Sequence, residues 1–317
     1  MATIRYKSTS MTEQRRIAGS LWPLLQQRHR EALASGALRP IETAQAWVDD
    51  GGVRFVIRIA ANLARQAAAR ERQDPSHRAG GPPPNPFLPY EPALFVTDLT
   101  DTHRALLNPF NVLDHHLLIV TRRFAHQETL LDEADFTALS LAMADHAGLG
   151  FYNGGAIAGA SQPHKHLQWV PLPLVESGPA VPIAPLLPTA RRTGEVGVVP
   201  GLPFRHAFVT LDPARAAQPR TFAEALHAGY RAALRAVGIA AVHRDGELEQ
   251  SAPYNLLVTR EWRLLVPRRQ ASEAGIAINA LGFAGSLFVR DRAQWALLQR
   301  RGPMAVLRAV TAPEPAA

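Results

Sequence analysis

Two proline- and glycine-rich stretches decide how this chain can be divided. Six prolines fall between Pro82 and Pro92. Each fixes φ and removes a backbone donor, so neither a helix interior nor a central strand can run through the segment. An extended, exposed connector is expected there, with disorder over residues 73 to 84. A second such stretch runs from Glu176 to Pro203. Around them the patterning is mixed. Ile17, Leu21, Leu24, Leu25 and Leu33 recur at helical spacing up to Gly36, and Gly36 suits a helix end. Gly52 to Ile59 is β-branched and alternating, which predicts a strand, followed by an Ala-rich helix over 60–72. Ala93 to Val96 and Leu117 to Thr121 read as strands, Glu133 to His146 as a helix, and Gly150 to Asn153 as a lead into a glycine-rich turn. Leu264 to Val266 and Gly285 to Val289 are the strands expected after the second connector.

Composition narrows the function classes. With 47% hydrophobic and 19% charged residues, the chain belongs with folded globular proteins. Its lack of cysteine removes disulfides, thiolate nucleophiles and cysteine-ligated metals. The N-terminus has no apolar signal core and no run reaches membrane-spanning length, so a cytoplasmic location without membrane partners is expected. The net charge of +7 favours anionic ligands. The basic residues are scattered in pairs such as Arg122-Arg123 and Arg268-Arg269, without interleaved aromatics, so nucleic acid is not the expected partner.

The chemistry concentrates in His164-Lys-His-Leu-Gln168. On an extended chain His164, His166 and Gln168 share one face, while Lys165, Leu167 and Trp169 share the other. Lys165 is unusual for a buried layer and is expected near an open strand end. Upstream, Asn153 to Gln162 supplies small residues and hydrogen-bond donors able to wrap phosphate oxygens. A histidine nucleophile needs one unprotonated ring nitrogen, a hydrogen bond on the other, and donors for developing charge. The motif alone also allows two structural strand histidines, or two of three zinc ligands. Gln168 on the same face weighs against zinc, being a poor zinc ligand but a good neutral donor.

Other tempting residues read blandly. Asp132 to Asp135 suits a helix N-cap, Asp49-Asp50 before Gly51-Gly52 a turn, and His115 or His116 a structural position at a strand mouth. Trp47, Trp169, Trp262 and Trp295 suit packing, and Leu94 to Val96 ordinary core. A weak echo between Phe110–Arg123 and Tyr254–Arg269 suggests duplication.

Asn153-Gly-Gly, Gly159-Ala-Ser-Gln-Pro-His-Lys-His-Leu-Gln168 and Pro171-Leu-Pro173 resemble the catalytic segment of the diadenosine tetraphosphate phosphorylases, or ATP adenylyltransferases. These are histidine-triad proteins of the branch related to galactose-1-phosphate uridylyltransferase. The likeness extends over residues 85–92, 106–112, 202–206, 254–257 and 279–287. It implies an α+β fold of two fused histidine-triad-like halves with antiparallel sheets and packed helices. Residues 1–176 would be catalytic, and residues 177–317 would complete the nucleotide site.

The implied activity is reversible phosphorolysis of diadenosine tetraphosphate to ATP and ADP through an adenylyl group on His166. Gln168 would bond a phosphoryl oxygen and His164 support the ring. Asn153, Gly159, Ala160, Ser161 and Gln162 would line the phosphate path, with Asn108 and Arg65 as further contacts. Asn279, Gly285, Ser286 and Arg290 would reach the nucleotide from the second half. Glutamine in the third triad position marks the transferase branch and points to transfer rather than hydrolysis. Two departures bear on the polyphosphate. Asn108-Pro109-Phe110 stands where the family commonly has Asn-Lys-Phe, and Arg65 stands where a lysine is expected, keeping charge but not geometry. Mg2+ would accompany the polyphosphate, with no organic cofactor. The implied partners are dinucleoside polyphosphate, ATP, ADP and inorganic phosphate, for a monomer or homodimer. The alternatives are a transferase or phosphorylase acting on a nucleoside diphosphate sugar, and a non-catalytic nucleotide-binding protein.

Overall fold

A computed structural model describes residues 20–59 and 85–313. The helix expected over 60–72, Arg65 within it, the connector residues 73–84 and the start of the N-terminal helix all lie outside the described residues. Helix α1 (Leu21–Ser35) ends at Gly36, whose φ of 75° lets its N–H reach the Leu33 carbonyl. Its buried stripe is Leu21, Leu25, His29 and Ala32. Leu24 and Leu33, expected in that stripe, are exposed. Strands β1 (Ala44–Asp50) and β2 (Val53–Ile59) form a hairpin. Gly51 and Gly52, at φ 59° and 79°, supply the two left-handed residues that a tight hairpin turn requires.

Among the described residues the main sheet has ten strands and is built twice from one plan. In the first half β3 (Phe95–Asp98), β4 (His103–Leu107) and β5 (Leu117–Thr121) form a meander, followed by helix α2 (Glu133–Asp145). A hairpin of β6 (Gly148–Gly154) and β7 (His166–Pro171) then inserts β7 beside β5. In the second half β8 (Arg191–Thr193), β9 (Val196–Val198) and β10 (Ala207–Thr210) precede helix α3 (Pro219–Ala236). After the short hairpin β11 (Ala241–Arg244) and β12 (Glu247–Gln250), β13 (Tyr254–Val258) and β14 (Trp262–Pro267) place β14 beside β10. The halves join where β6 pairs antiparallel with β13.

The duplication is therefore carried by topology. The segments whose sequences echo one another are not equivalent in it, since 110–123 contains β5 whereas 254–269 contains β13 and β14. The face of β14 that matches the histidine face of β7 carries Trp262, Leu264 and Val266, all buried in apolar core. Among the described residues the second half therefore has no triad of its own.

The chain closes with the short strands β15 (Ser272–Glu273) and β16 (Ile276–Ala277), helix α4 (Ala280–Phe283), β17 (Ser286–Val289) and helices α5 (Arg292–Arg301) and α6 (Pro303–Val310). Strand β17 pairs parallel with β2, an exception to the expected antiparallel pairing. The two main cores lie on opposite faces of the sheet, and each draws on both halves. Tyr152, Leu167, Trp169, Leu256 and Leu265 pack with Leu25, Phe136 and Phe222 of the helices. Phe151, Val170, Leu257 and Leu264 pack with Ile57, Leu287 and Val306 on the other side. Trp169 and Trp262 are core residues, with Trp47 and Trp295 packed at the edge. No helix among the described residues is long and apolar enough to cross a membrane.

Candidate active site

The alternation of β7 places its two kinds of side chain on opposite sides of the sheet. Leu167 and Trp169 enter the helix-side core, and Lys165 goes with them. Lys165 does not lie at an open end. It is 3% exposed, with Nζ 2.6 Å from Asp135 Oδ2 and 2.9 Å from the Leu130 carbonyl oxygen. Asp135 also completes the capping box of α2 with Asp132 and meets His103 Nε2 at 2.9 Å. Burial alone would raise the Asp135 carboxyl, but Lys165 and the hydrogen bonds hold it well below its usual range. The capping role read from sequence is present, and a buried ion pair is added to it.

On the other side His166 is fixed through backbone and ring together. Gln127 Oε1 accepts from His166 N at 2.9 Å, and its Nε2 donates to the carbonyls of Asn153 and His166. The ring Nδ1–H donates to the His164 carbonyl at 2.8 Å. Nε2 is thus the unprotonated nitrogen. Burial, opposed by that hydrogen bond, lowers the ring pKa to about 4, so His166 is neutral at neutral pH.

His164 lies just ahead of β7, bridged to His126. Its Nε2 is 2.9 Å from the Thr121 carbonyl and Nδ1 is 2.9 Å from Asn85 Nδ2. It thereby anchors the carbonyl that holds the His166 ring. Phe87 packs against both imidazoles, with centroids 5.5 and 5.4 Å away.

Gln168 is oriented by a residue that reads as merely structural in the sequence. His116 Nε2–H donates to Gln168 Oε1 at 3.0 Å, and Asn108 Nδ2 donates to His116 Nδ1 at 3.2 Å. With Oε1 occupied, the Gln168 NH2 is the end left for a ligand. Burial lowers His116 to about 4, against the Gln168 hydrogen bond that raises it. His115, at φ 58°, turns away to pack on His29 and Trp22. Replacing His116 by Phe is expected to keep the fold while lowering kcat at least tenfold, about 1.4 kcal/mol of barrier. Steady-state kinetics beside a thermal melt test this, and an unchanged kcat would remove His116 from the machinery.

The two neutral histidines also predict an acid-side loss of stability. Their folded pKa lies below the unfolded value near 6.5, so only the unfolded chain gains protons as pH falls from 6.5 towards 4. Each then costs about 1.4 kcal/mol per pH unit, with no contribution above that window. Burial shifts His29, His115, His146 and His164 in the same direction. The melting temperature should therefore drop clearly between pH 7.5 and 5.5, and a flat profile would contradict the neutral assignment.

His116, His166, Gln168 and Phe87 line a cavity of about 960 Å³, whereas His164 and Gln127 are not on its wall. Phe87, Leu94, Leu106 and Leu118 form apolar wall, while Asn108, Asn153, Gly159, Ser161, Gln162, His166, Gln168 and Asn279 are the expected site residues that lie on it. A Cβ on Gly159, at φ 93°, would lie 2.9 Å from the Ile278 carbonyl oxygen. Its glycine thus serves loop closure against the Ile278–Asn279 turn. Arg39 is the cationic side chain on the described wall, and its backbone N–H donates to the Pro109 carbonyl at 2.8 Å.

Four expected contacts are not on this wall. The Ala160 amide is taken by the Gly155 carbonyl. Gly285 packs against Pro182, and Ser286 is fully buried beside Arg58. Arg290 is exposed and bonds the Gly275 carbonyl. For Gly285, Ser286 and Arg290 the reason is the parallel pairing of β17 with β2, which carries this stretch into the three-stranded sheet.

Residues 11–189 match the family model for the Ap4A phosphorylase N-terminal domain. That is more than half of the chain. The chain belongs to the Ap4A phosphorylase family. Residues 200–313 match the model for the ATP adenylyltransferase C-terminal domain, so the two models meet within the second proline-rich connector. Among curated relatives, Protein APA1 of Saccharomyces cerevisiae is 29% identical over 209 residues, covering 60% of this chain and 62% of its own length. The match thus spans less than two thirds of APA1. Diadenosine 5',5'''-P1,P4-tetraphosphate phosphorylase 2 of the same organism is 27% identical over 277 residues, covering 80% and 78% respectively. The crystal structure of yeast Ap4A phosphorylase Apa2 in complex with Ap4A superimposes with a TM-score of 0.73 at 21% identity, covering 93% of this chain and 98% of that one. The same enzyme in complex with AMP gives 0.74 at 22% identity, covering 94% and 98%. Both show the shared fold of the family.

Proposed function

We propose that the protein catalyses reversible phosphorolysis of diadenosine tetraphosphate to ATP and ADP through an adenylyl group carried on His166. The observation that carries this reading is a neutral imidazole on the cavity wall whose Nδ1–H is given to the His164 carbonyl, leaving Nε2 as nucleophile. Nε2 attacks the phosphorus next to one adenosine; a P–N bond forms, the bridging P–O bond breaks, and ATP departs. Inorganic phosphate then attacks the same phosphorus from the vacated side; a new P–O bond forms, the P–N bond breaks with its electron pair returning to Nε2, and ADP departs from the restored neutral ring. The Gln168 NH2 donates to a non-bridging oxygen, where its hydrogen bond strengthens as charge develops. Splitting the transfer lets ATP leave before phosphate arrives, so the two use in turn the same position at phosphorus, opposite Nε2.

No three His, Asp or Glu side chains among the described residues converge to hold a metal, so Mg2+ is proposed to travel with the polyphosphate as part of the substrate. Product analysis tests the whole reading. Diadenosine tetraphosphate with phosphate should give ATP and ADP in equal amounts, and turnover should cease when phosphate is omitted. Sole activity on nucleoside diphosphate sugars, or tight binding without products, would replace it.

The third triad position is proposed to set acceptor choice. Gln168→His is expected to slow phosphate-dependent transfer and to raise the fraction of adenylyl lost to water as AMP. A hydrolysis-to-transfer ratio equal to that of wild type would refute this.

A further inference from the structure

Three arginines are buried without a carboxylate partner among the described residues: Arg58, Arg263 and Arg268. Arg268 is the one beside the cavity. It is 2% exposed, and burial lowers its guanidinium only to about 10, so the charge persists at neutral pH. Nη1 donates to Asn255 Oδ1 at 2.5 Å, to the Ile278 carbonyl at 2.9 Å and to the Ala158 carbonyl at 3.3 Å. Nη2 donates to the Gln270 carbonyl at 2.7 Å and Nε to the Val310 carbonyl at 3.2 Å. Ala158 and Ile278 directly precede Gly159 and Asn279, both on the cavity wall.

The donor and acceptor identities leave one consistent arrangement. A guanidinium only donates, so the Asn255 oxygen must face Arg268 and its NH2 must face the other way. That NH2 donates to Asn153 Oδ1 and to the Ala158 carbonyl, each at 2.8 Å. Asn153 Oδ1 also accepts from Ala280 N at 2.9 Å. With the oxygen held by two donors, the Asn153 NH2 is the end left to the cavity, and no hydrogen bond to a described residue takes it up. Asn153 and Asn255 face each other across the β6–β13 seam, so the second half sets the polarity of an amide in the catalytic half.

We propose that Arg268 is a positioning residue that, through Asn255, locks the Asn153 amide with its NH2 toward the phosphoryl group undergoing transfer. This rests on the reading of His166 as the adenylylated nucleophile. Asn153 then matches Gln168: each is an amide whose oxygen is consumed by a buried relay, so that each presents a donor to the substrate.

The test combines Asn153→Ala, Asn255→Asp, their double variant and Arg268→Met, with kcat and KM for diadenosine tetraphosphate and a thermal melt for each. The carboxylate introduced by Asn255→Asp would still accept from Arg268 but could not donate, so Asn153 would present its oxygen to the substrate. Asn255→Asp should lower kcat at least as much as Asn153→Ala, by tenfold or more, with KM changed less than threefold. The double variant should fall no further than the worse single variant, since both changes remove one donor. A purely structural role predicts a lowered melting temperature, unchanged kcat per folded molecule and independent, multiplying effects. Arg268→Met keeps the bulk of the stem but removes every donor to Asn255 Oδ1, and should show a kcat loss of tenfold or more; it carries the test if Asn255→Asp fails to fold. A folded Asn255→Asp or Arg268→Met with kcat within twofold of wild type would overturn the relay, as would a neutral Asn153→Ala. Wild type lacking phosphorolysis would instead overturn the functional reading, and the relay with it.

Discussion

Replacing His166 by asparagine is expected to abolish both turnover and protein labelling by diadenosine tetraphosphate, while the melting temperature stays near that of wild type. Asparagine can keep the local structure, because its NH2 can replace Nδ1–H as donor to the His164 carbonyl and the Gln127 clamp acts on the backbone. It offers no nucleophilic nitrogen in place of Nε2. Loss of a covalent nucleophile typically costs on the order of 10⁴-fold or more in kcat. Wild type incubated with adenylyl-labelled substrate and no phosphate should carry label that is acid-labile and base-stable, as a phosphoramidate is, and phosphate should release it as ADP. The label should map to the peptide holding His166. An ester on Ser161, which also lines the cavity, would show the opposite lability. Residual turnover above about one percent in a folded His166→Asn protein would transfer the nucleophile's role to another residue.

The chemical face of β7 was legible because strand alternation is a local property, so His166 and Gln168 could be aligned from their spacing alone. His116 was not, because its contact with Gln168 depends on which strand lies beside β7. The pairing of Leu118 with Gln168 follows from the insertion of β7 between β5 and β6, and nothing in residues 110–123 announces it. Gln127 and Asn85 were hidden for the same reason: each lies in a loop that reaches the histidines only after the sheet has formed. The second half misled differently. Gly285, Ser286 and Arg290 came from resemblance, while the pairing of β17 with β2 decides where they go. Strand β1 carries little apolar alternation in its sequence, because its residues stay largely exposed or half-buried.

Lys165→Met is expected to cost about 3–5 kcal/mol at neutral pH, the usual range for breaking one side of a buried ion pair. The cost arises less from the lost Lys165 contact than from the carboxylate left behind. Asp135 is 1% exposed and would retain only His103 and the Asp132 amide as partners. Without Lys165, burial dominates and the folded-state pKa of Asp135 rises above its unfolded value. A group raised in this way loses stability as pH climbs through the folded pKa, so the deficit relative to wild type should be largest near pH 7.5 and shrink below about pH 5. In wild type the sign is opposite, since the lowered Asp135 pKa contributes stability above its unfolded value and loses it only in stronger acid. Adding Asp135→Asn should recover part of the loss, because asparagine carries no charge and its one oxygen can still accept from either His103 or the Asp132 amide, which Asp135 serves with separate oxygens. Thermal melts of the wild type, the single variant and the double variant at both pH values decide the matter. Equal stability of wild type and Lys165→Met at pH 7.5 would mean that the pair behind the catalytic strand contributes nothing. A deficit that persists unchanged in the double variant would place the cost in packing around the Lys165 stem rather than in the stranded charge.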